Sequence, residues 1–218
     1  MSHFFNFDSN VQVVKCNIVN DSEYNATIRT KIFQVDDSYS KGCDDWVRKY
    51  SLYSKTNYIV RCTFPNKQMY VYRKDYICQH SSKNKSHNSD LTRLRDKNCS
   101  ASIKIVVKKN TVNTQRKYQY MRQGLDTEIK YLFVHTHRVY NAEAYSYLRV
   151  SEEVRENCIT YFNGGMTPAA AKTYHEVQLT SSIDDTDNME CIKQLANAQI
   201  DPTDRQIYQL FETWSHGG

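Results

Sequence analysis

Four side chains in this 218-residue sequence have the types and placement to act together on one ion: Cys78, Cys99, His135 and His137. Thiolate sulfur and imidazole nitrogen are the donors that a tetrahedral Zn2+ takes. Cys78 closes one predicted strand, Cys99 opens the next, and the His-x-His pair ends a later one. Side chains two apart on a strand point to the same side. Both imidazoles can therefore face a single ion, and two thiols from neighbouring strand ends would complete a Cys2His2 set. Such a set is closed, with no position left for a substrate, so the expected role of the zinc is structural. The spacing C-x20-C-x35-H-x-H is long and irregular, and its strength comes from the strand-end placement. His80, two residues after Cys78, is a rival ligand. Cys62 is expected to face into the sheet.

The elements that would position these residues are read from periodicity. Tyr39, Cys43, Trp46, Val47, Tyr50 and Tyr53 recur at spacings of 3 and 4 and predict a helix over about 38–56. Asp36, Asp37 and Ser38 are its candidate N-caps. β-branched and aromatic residues then dominate 57–64 and 68–79, joined by a Pro-Asn-Lys turn as a hairpin. Residues 80–97 are basic and loop-like. A third strand is predicted over 99–109, a polar connection to about 126, and a fourth strand over 127–137. Residues 1–32 hold only short strand-like runs and are read as a mostly irregular leader.

After 150 the pattern turns helical. Ser151 caps a helix over 151–162, with acids in the first turn where the helix dipole favours them. Gly164 and Gly165 end it, and Thr167–Pro168 begin another. An acidic linker covers 180–190, followed by two short helices near 189–198 and 203–214. The domain organisation expected is a leader (1–32), a zinc-binding DNA-binding domain (33–147), a helical hairpin (148–179), and an acidic linker with short helices (180–218). The fold class is α+β, with a small antiparallel sheet of four to five strands.

Charge is distributed in blocks. Residues 46–140 hold 20 Lys and Arg against 5 Asp and Glu, a balance of +15. The remainder holds 9 against 19, a balance of -10. A basic block of this density attracts polyanions in a salt-dependent way. Other classes are disfavoured. No apolar run spans a membrane, the N-terminus lacks a basic segment followed by an apolar run, and no phosphate-cradling Gly motif occurs. The seven cysteines are scattered and odd in number, which argues for reduced thiols rather than a disulfide scaffold. No enzyme is expected: Asp184–Asp185 lie in a linker, and nothing in the sequence joins Cys158 to His175 as a nucleophile and base. No small-molecule substrate is expected either.

The run of Trp46, NYIVRCTF (57–64), YRKDYICQ (72–79), a basic loop, NCSASIKI (98–105) and YLFVHTH (131–137) resembles the WRKY/glial-cells-missing superfamily of zinc fingers. It is most similar to the far-red-impaired-response type of DNA-binding domain at the N-termini of Mutator-like transposases. The resemblance covers about 33–140. Residues 150–176 and 196–214 are similar to the helical segments that follow this finger in animal members, including zinc-finger SWIM-type relatives. The chain departs from the family in lacking the WRKY heptapeptide, a SWIM zinc pattern and room for an RNase H-like catalytic domain. The resemblance implies a Cys2His2 zinc at one end of the sheet, a strand edge in the DNA major groove, and a nuclear, transposon-derived regulator of transcription.

By that resemblance the first strand after the helix enters the groove, which nominates Arg61 with Asn57, Tyr58 and Thr63. Arg73 and Lys74 come next, and Lys83, Lys85, Arg93, Arg95 and Lys97 follow the phosphate backbone. Duplex DNA is the expected partner, with a protein partner for the C-terminal helices. The alternatives are a protein-interaction module on a zinc-stabilised scaffold and an RNA-binding module.

Overall fold

A computed structural model describes residues 8, 10–20, 23–84, 96–181 and 188–217. They divide into two compact units, Met1–His137 and Arg138–Gly218.

In the first unit, strands β1 (Gln12–Asn20), β2 (Glu23–Thr30), β3 (Tyr58–Phe64), β4 (Tyr70–Cys78), β5 (Ser102–Lys108) and β6 (Thr127–Val134) form one antiparallel sheet. Its order is β1-β2-β6-β5-β4-β3. The sheet has six strands rather than four to five, because much of the expected leader forms β1 and β2. Every second residue of β2 (Tyr24, Ala26, Ile28, Thr30) is buried. The small and polar members of that set hide the alternation in the sequence. β2 pairs with β6 along its whole length, from Glu23 opposite Val134 to Thr30 opposite Thr127. β6 is thereby an interior strand.

Helix α1 (Tyr39–Ser54) lies on one face of the sheet. Its buried stripe of Cys43, Trp46, Val47 and Tyr50 follows the helical period. The Ser38 hydroxyl accepts from the Lys41 amide, and Lys55, with φ 52°, ends the helix by donating to the Ser51 carbonyl. Gly42 is required by a close approach: a Cβ there would stand 2.1 Å from the Phe33 carbonyl oxygen. The core beneath α1 is aromatic. Tyr50 contacts Tyr131 and Tyr58 at centroid distances of 5.0 and 6.0 Å, Trp46 meets Tyr131 at 5.8 Å, and the Tyr24 and Tyr50 hydroxyls are 2.6 Å apart. A polar clamp adds to this packing. Lys74 Nζ donates to Asp44 and Ser40 at 2.7 and 2.8 Å, and the Tyr76 hydroxyl donates to Asp44 at 2.8 Å. The connection expected between the third and fourth sequence strands contains two short helices, α2 (Val112–Lys117) and α3 (Gln119–Arg122).

The second unit holds α4 (Ala142–Ser146), α5 (Glu152–Asn163), α6 (Pro168–Ser181), α7 (Asn188–Leu195) and α8 (Asp204–His216). Ser151 caps α5 through the Val154 amide, and Thr203 with Gln206 forms a capping box on α8. Gly165, with φ +83°, turns the chain between α5 and α6. Val154, Cys158, Phe162, Ala171 and Ile207 form the core, against which Phe211 and Trp214 pack. Among the described residues no helix is long and apolar enough to cross a membrane.

Candidate metal centre

Antiparallel pairing of β4, β5 and β6 brings the end of β4, the start of β5 and the end of β6 to one end of the sheet. Cys78 is the last residue of β4, Cys99 lies three residues before Ser102, the first residue of β5, and His135 follows Val134 at the end of β6. Their ligand atoms, with that of His137, all lie within 4.8 Å of one another. Cys78 Sγ is 3.3 Å from His137 Nε2, Cys99 Sγ is 3.4 Å from His135 Nδ1, and the two ring nitrogens are 3.2 Å apart. Both cysteines are buried and both histidines half-buried.

The loops that carry these residues are held by backbone bonds. The Cys78 amide donates to the Ala101 carbonyl, and the Lys97 and Cys99 amides both donate to the His80 carbonyl. Thr136 Oγ1 donates to the Lys97 carbonyl at 2.6 Å, and Ser100 Oγ to the Val134 carbonyl at 3.1 Å. One detail differs from the sequence expectation. β6 ends at Val134, so a bend over Thr136–His137, rather than strand alternation, brings the two imidazoles together. His135 is braced by Phe133 and Tyr58, at centroid distances of 4.5 and 6.3 Å.

His80 does not belong to the ligand group. It is buried, its ring lies 4.4 Å from that of His137, and its backbone N–H points at Cys78 Sγ from 3.5 Å. The Ala101 amide, two residues after Cys99, likewise acts to lower the pKa of its cysteine. Amide donors of this kind stabilise thiolate charge. Sequence reading did not find these two amides. The signal available was the run of small or polar residues after each cysteine, which lets the chain curl back over the sulfur.

Donation from Cys78 holds the Cys99 pKa below the usual thiol range, with further help from His135 and His137, against the opposing effect of burial. The hydrogen bond to Cys99, followed by burial, raises the pKa of Cys78. The group thus brings two sulfurs and two imidazoles together. This donor set can hold one metal ion and leaves no ligand position for substrate. The other core thiols are different. Burial pushes Cys43 up to about 12 and Cys158 up to about 11, which makes both weak nucleophiles. His175 is occupied by the Ile200 carbonyl at 2.8 Å and the Tyr161 hydroxyl at 3.4 Å.

No family model matches the chain, and no curated protein and no solved structure matches it significantly.

The residues expected at DNA are divided among several environments. Arg61 and Thr63 are exposed on β3, an edge strand, beside a register shift between Val60 and Cys62. Asn57 and Tyr58 are buried next to this strand's start, and Tyr58 belongs to the aromatic core. Lys74 is buried in the clamp with Asp44. Arg73 Nε and Nη2 donate to the two oxygens of the Asp75 carboxylate at 2.9 and 2.5 Å. Lys83 and Lys97 are exposed. Lys85, Arg93 and Arg95 lie outside the described residues.

Proposed function

We propose that this chain is a zinc-dependent DNA-binding protein that recognises duplex sites without cleaving them. The observation that carries the reading is the Cys78–Cys99–His135–His137 group, closing the end of a sheet whose edge strand presents Arg61. Three of the six donor separations, at 3.2 to 3.4 Å, are close to the edges of a tetrahedron around Zn2+, and all six lie within 4.8 Å. Metal–ligand lengths of about 2.0–2.3 Å give edges of roughly 3.3–3.8 Å. Bound zinc would supply folding energy by cross-linking three strand ends, and the four ligands would take no part in a reaction.

Charge supports the polyanion partner. The unit Met1–His137 carries 23 Lys and Arg against 12 Asp and Glu, a balance of +11. The unit Arg138–Gly218 carries 6 against 12, a balance of -6. The first unit therefore attracts phosphate while the second repels it. On this reading β3 enters the major groove edge-on, with Arg61 and Thr63 at the base edges. The transposase-derived origin, the role in transcription and the nuclear setting follow from the resemblance in residues 33–140.

The test is metal content by mass spectrometry, followed by duplex DNA binding over a salt series. One zinc per chain, together with an affinity that falls linearly with salt on logarithmic axes, is expected. Well-folded protein without metal would overturn the zinc reading. A protein-interaction role has one observation of its own: Tyr174, Val177 and Tyr208 are exposed apolar residues on the acidic helical unit. Binding that ignores salt would favour that role.

A further inference from the structure

The face of the sheet opposite α1 carries a row of residues that starts behind the exposed Arg61. Cys62 pairs with Asp75, Asp75 with Lys104, and Lys104 with Lys130. The row crosses β3, β4, β5 and β6 at right angles to the strands. Lys104 and Lys130 stand directly opposite each other, and like charges so placed destabilise a sheet. Neighbouring acids neutralise them only in part. The Asp75 carboxylate is held by Arg73 through both oxygens. The Glu128 carboxylate is shared by Arg29, Lys108 and Lys130, the last at 3.6 Å with its side chain 58% exposed. Lys104 makes no ion pair among the described residues. Around this row, Arg29, Arg73, Lys104, Lys108 and Lys130 therefore face two carboxylates, Asp75 and Glu128.

We infer that Lys104 and Lys130 form a phosphate clamp on the rim of the groove that β3 enters, gripping one strand of a DNA duplex. This inference rests on the edge-on reading above. Adjacent strands are about 4.8 Å apart, which puts Lys104 about 9.6 Å and Lys130 about 14 Å behind the β3 edge. The major groove is about 8.5 Å deep. With β3 at the groove floor, β5 and β6 stand level with the phosphates and just above them, within reach of a lysine side chain. The occupant that matches is the phosphate strand at the groove rim, because the two adjacent cations stand at the depth of the phosphates and behind the exposed Arg61 of β3. A bound phosphate strand also relieves the repulsion between the paired lysines.

Binding of the full chain, zinc-loaded, to a duplex DNA pool would be followed by fluorescence anisotropy across a salt series. The wild type would be compared with K104Q/K130Q, with K130Q alone, and with a charge-matched control, K41Q/K49Q, on exposed positions of α1. Each lost phosphate contact lowers the salt slope by about 0.9, so the double variant should fall by about 1.8 and K130Q by about 0.9. The control should keep the wild-type slope, and zinc content should be equal in all four. Site preference should be unchanged, since phosphate contacts carry no sequence information. The exposed K130Q variant keeps the test alive if the double variant folds poorly. Wild-type binding with an unchanged slope in both lysine variants would overturn the clamp and leave the DNA reading standing. Absence of duplex binding, or a preference for single-stranded RNA, would remove the DNA reading and the clamp with it.

Discussion

Cys78 Sγ lies 3.3 Å from His137 Nε2, although 59 residues separate them in the chain. The contact exists because β4 and β6 flank β5 and end at the same edge of the sheet. An ion held by this group would therefore cross-link three strands rather than close a local loop. Replacing Cys78 by Ser, or both His135 and His137 by Ala, should reduce bound metal from one ion per chain to none. The melting temperature should drop with it, as it should for wild type treated with a chelator. Mass spectrometry and thermal unfolding check both effects. Unchanged stability after metal removal would show that the sheet closes without the ion.

Lys74 tests the difference between a charge that binds and a charge that packs. Its ammonium is buried against Asp44 and Ser40, and its side chain is 5% exposed. Asp44→Ala strands that ammonium and should cost about 1–3 kcal/mol. Lys74→Met should lower stability while leaving the salt slope of DNA binding as in wild type. Urea unfolding and anisotropy titration distinguish the two outcomes.

Glu128 should give the protein an acid-sensitive contribution to stability. Burial acts to raise its pKa, but Arg29, Lys108 and Lys130 outweigh burial and hold it below the ordinary 4.5. A carboxylate with a lowered folded-state pKa stabilises the fold above its unfolded value. That contribution is lost as pH falls through the folded value. Glu128→Gln should therefore be less stable than wild type at pH 7, by about 1–3 kcal/mol because Arg29 loses its partner. The gap should narrow below pH 4.5. Denaturant curves for both proteins at neutral and acid pH measure it.

Gly42 should tolerate no side chain. A methyl group would sit 2.1 Å from the Phe33 carbonyl oxygen, a backbone atom that can move only with its segment. Ala usually favours a helix interior over Gly by about 1 kcal/mol. Here Gly42→Ala should destabilise instead, by about 1–3 kcal/mol, as overpacked cores do. A stability gain in thermal unfolding would contradict the contact.

Phe162 reports on the helical unit. It is buried among Cys158, Ala171 and Ile207 and stacks edge-on with Phe211 at 5.2 Å. Phe162→Ala should cost about 3–5 kcal/mol in that unit. Metal content should be unaffected, because all four ligands lie in the other unit.

Much of this was legible along the chain. Helix α1, the strands of 58–134, the caps at Ser38 and Ser151 and the four ligands all announce themselves through short-range patterns. Each depends on period, capping chemistry or residue type within a few positions. Strand β2 did not announce itself, since Ala26 and Thr30 occupy core positions that the eye reserves for large apolar residues. Arg73 and Lys74 looked alike as neighbouring strand cations, yet one pairs with Asp75 on the outer face and the other is buried under α1.

The sequence by itself determined the donor chemistry of the metal group, the α+β class and the concentration of positive charge before residue 138. Only the tertiary structure decided which residues share a face or an end. Adding β1 and β2 beyond β6 made β6 interior, while the β5–β6 register set Lys130 opposite Lys104 and the strand order left β3 as an edge. The bend after Val134, not strand alternation, aimed the histidines, and His80 became a neighbour of the centre rather than a ligand. The reason is physical: side-chain type and local period are properties of a few consecutive residues. Strand order, register and burial arise from pairing between segments far apart in sequence, and no short window contains both partners.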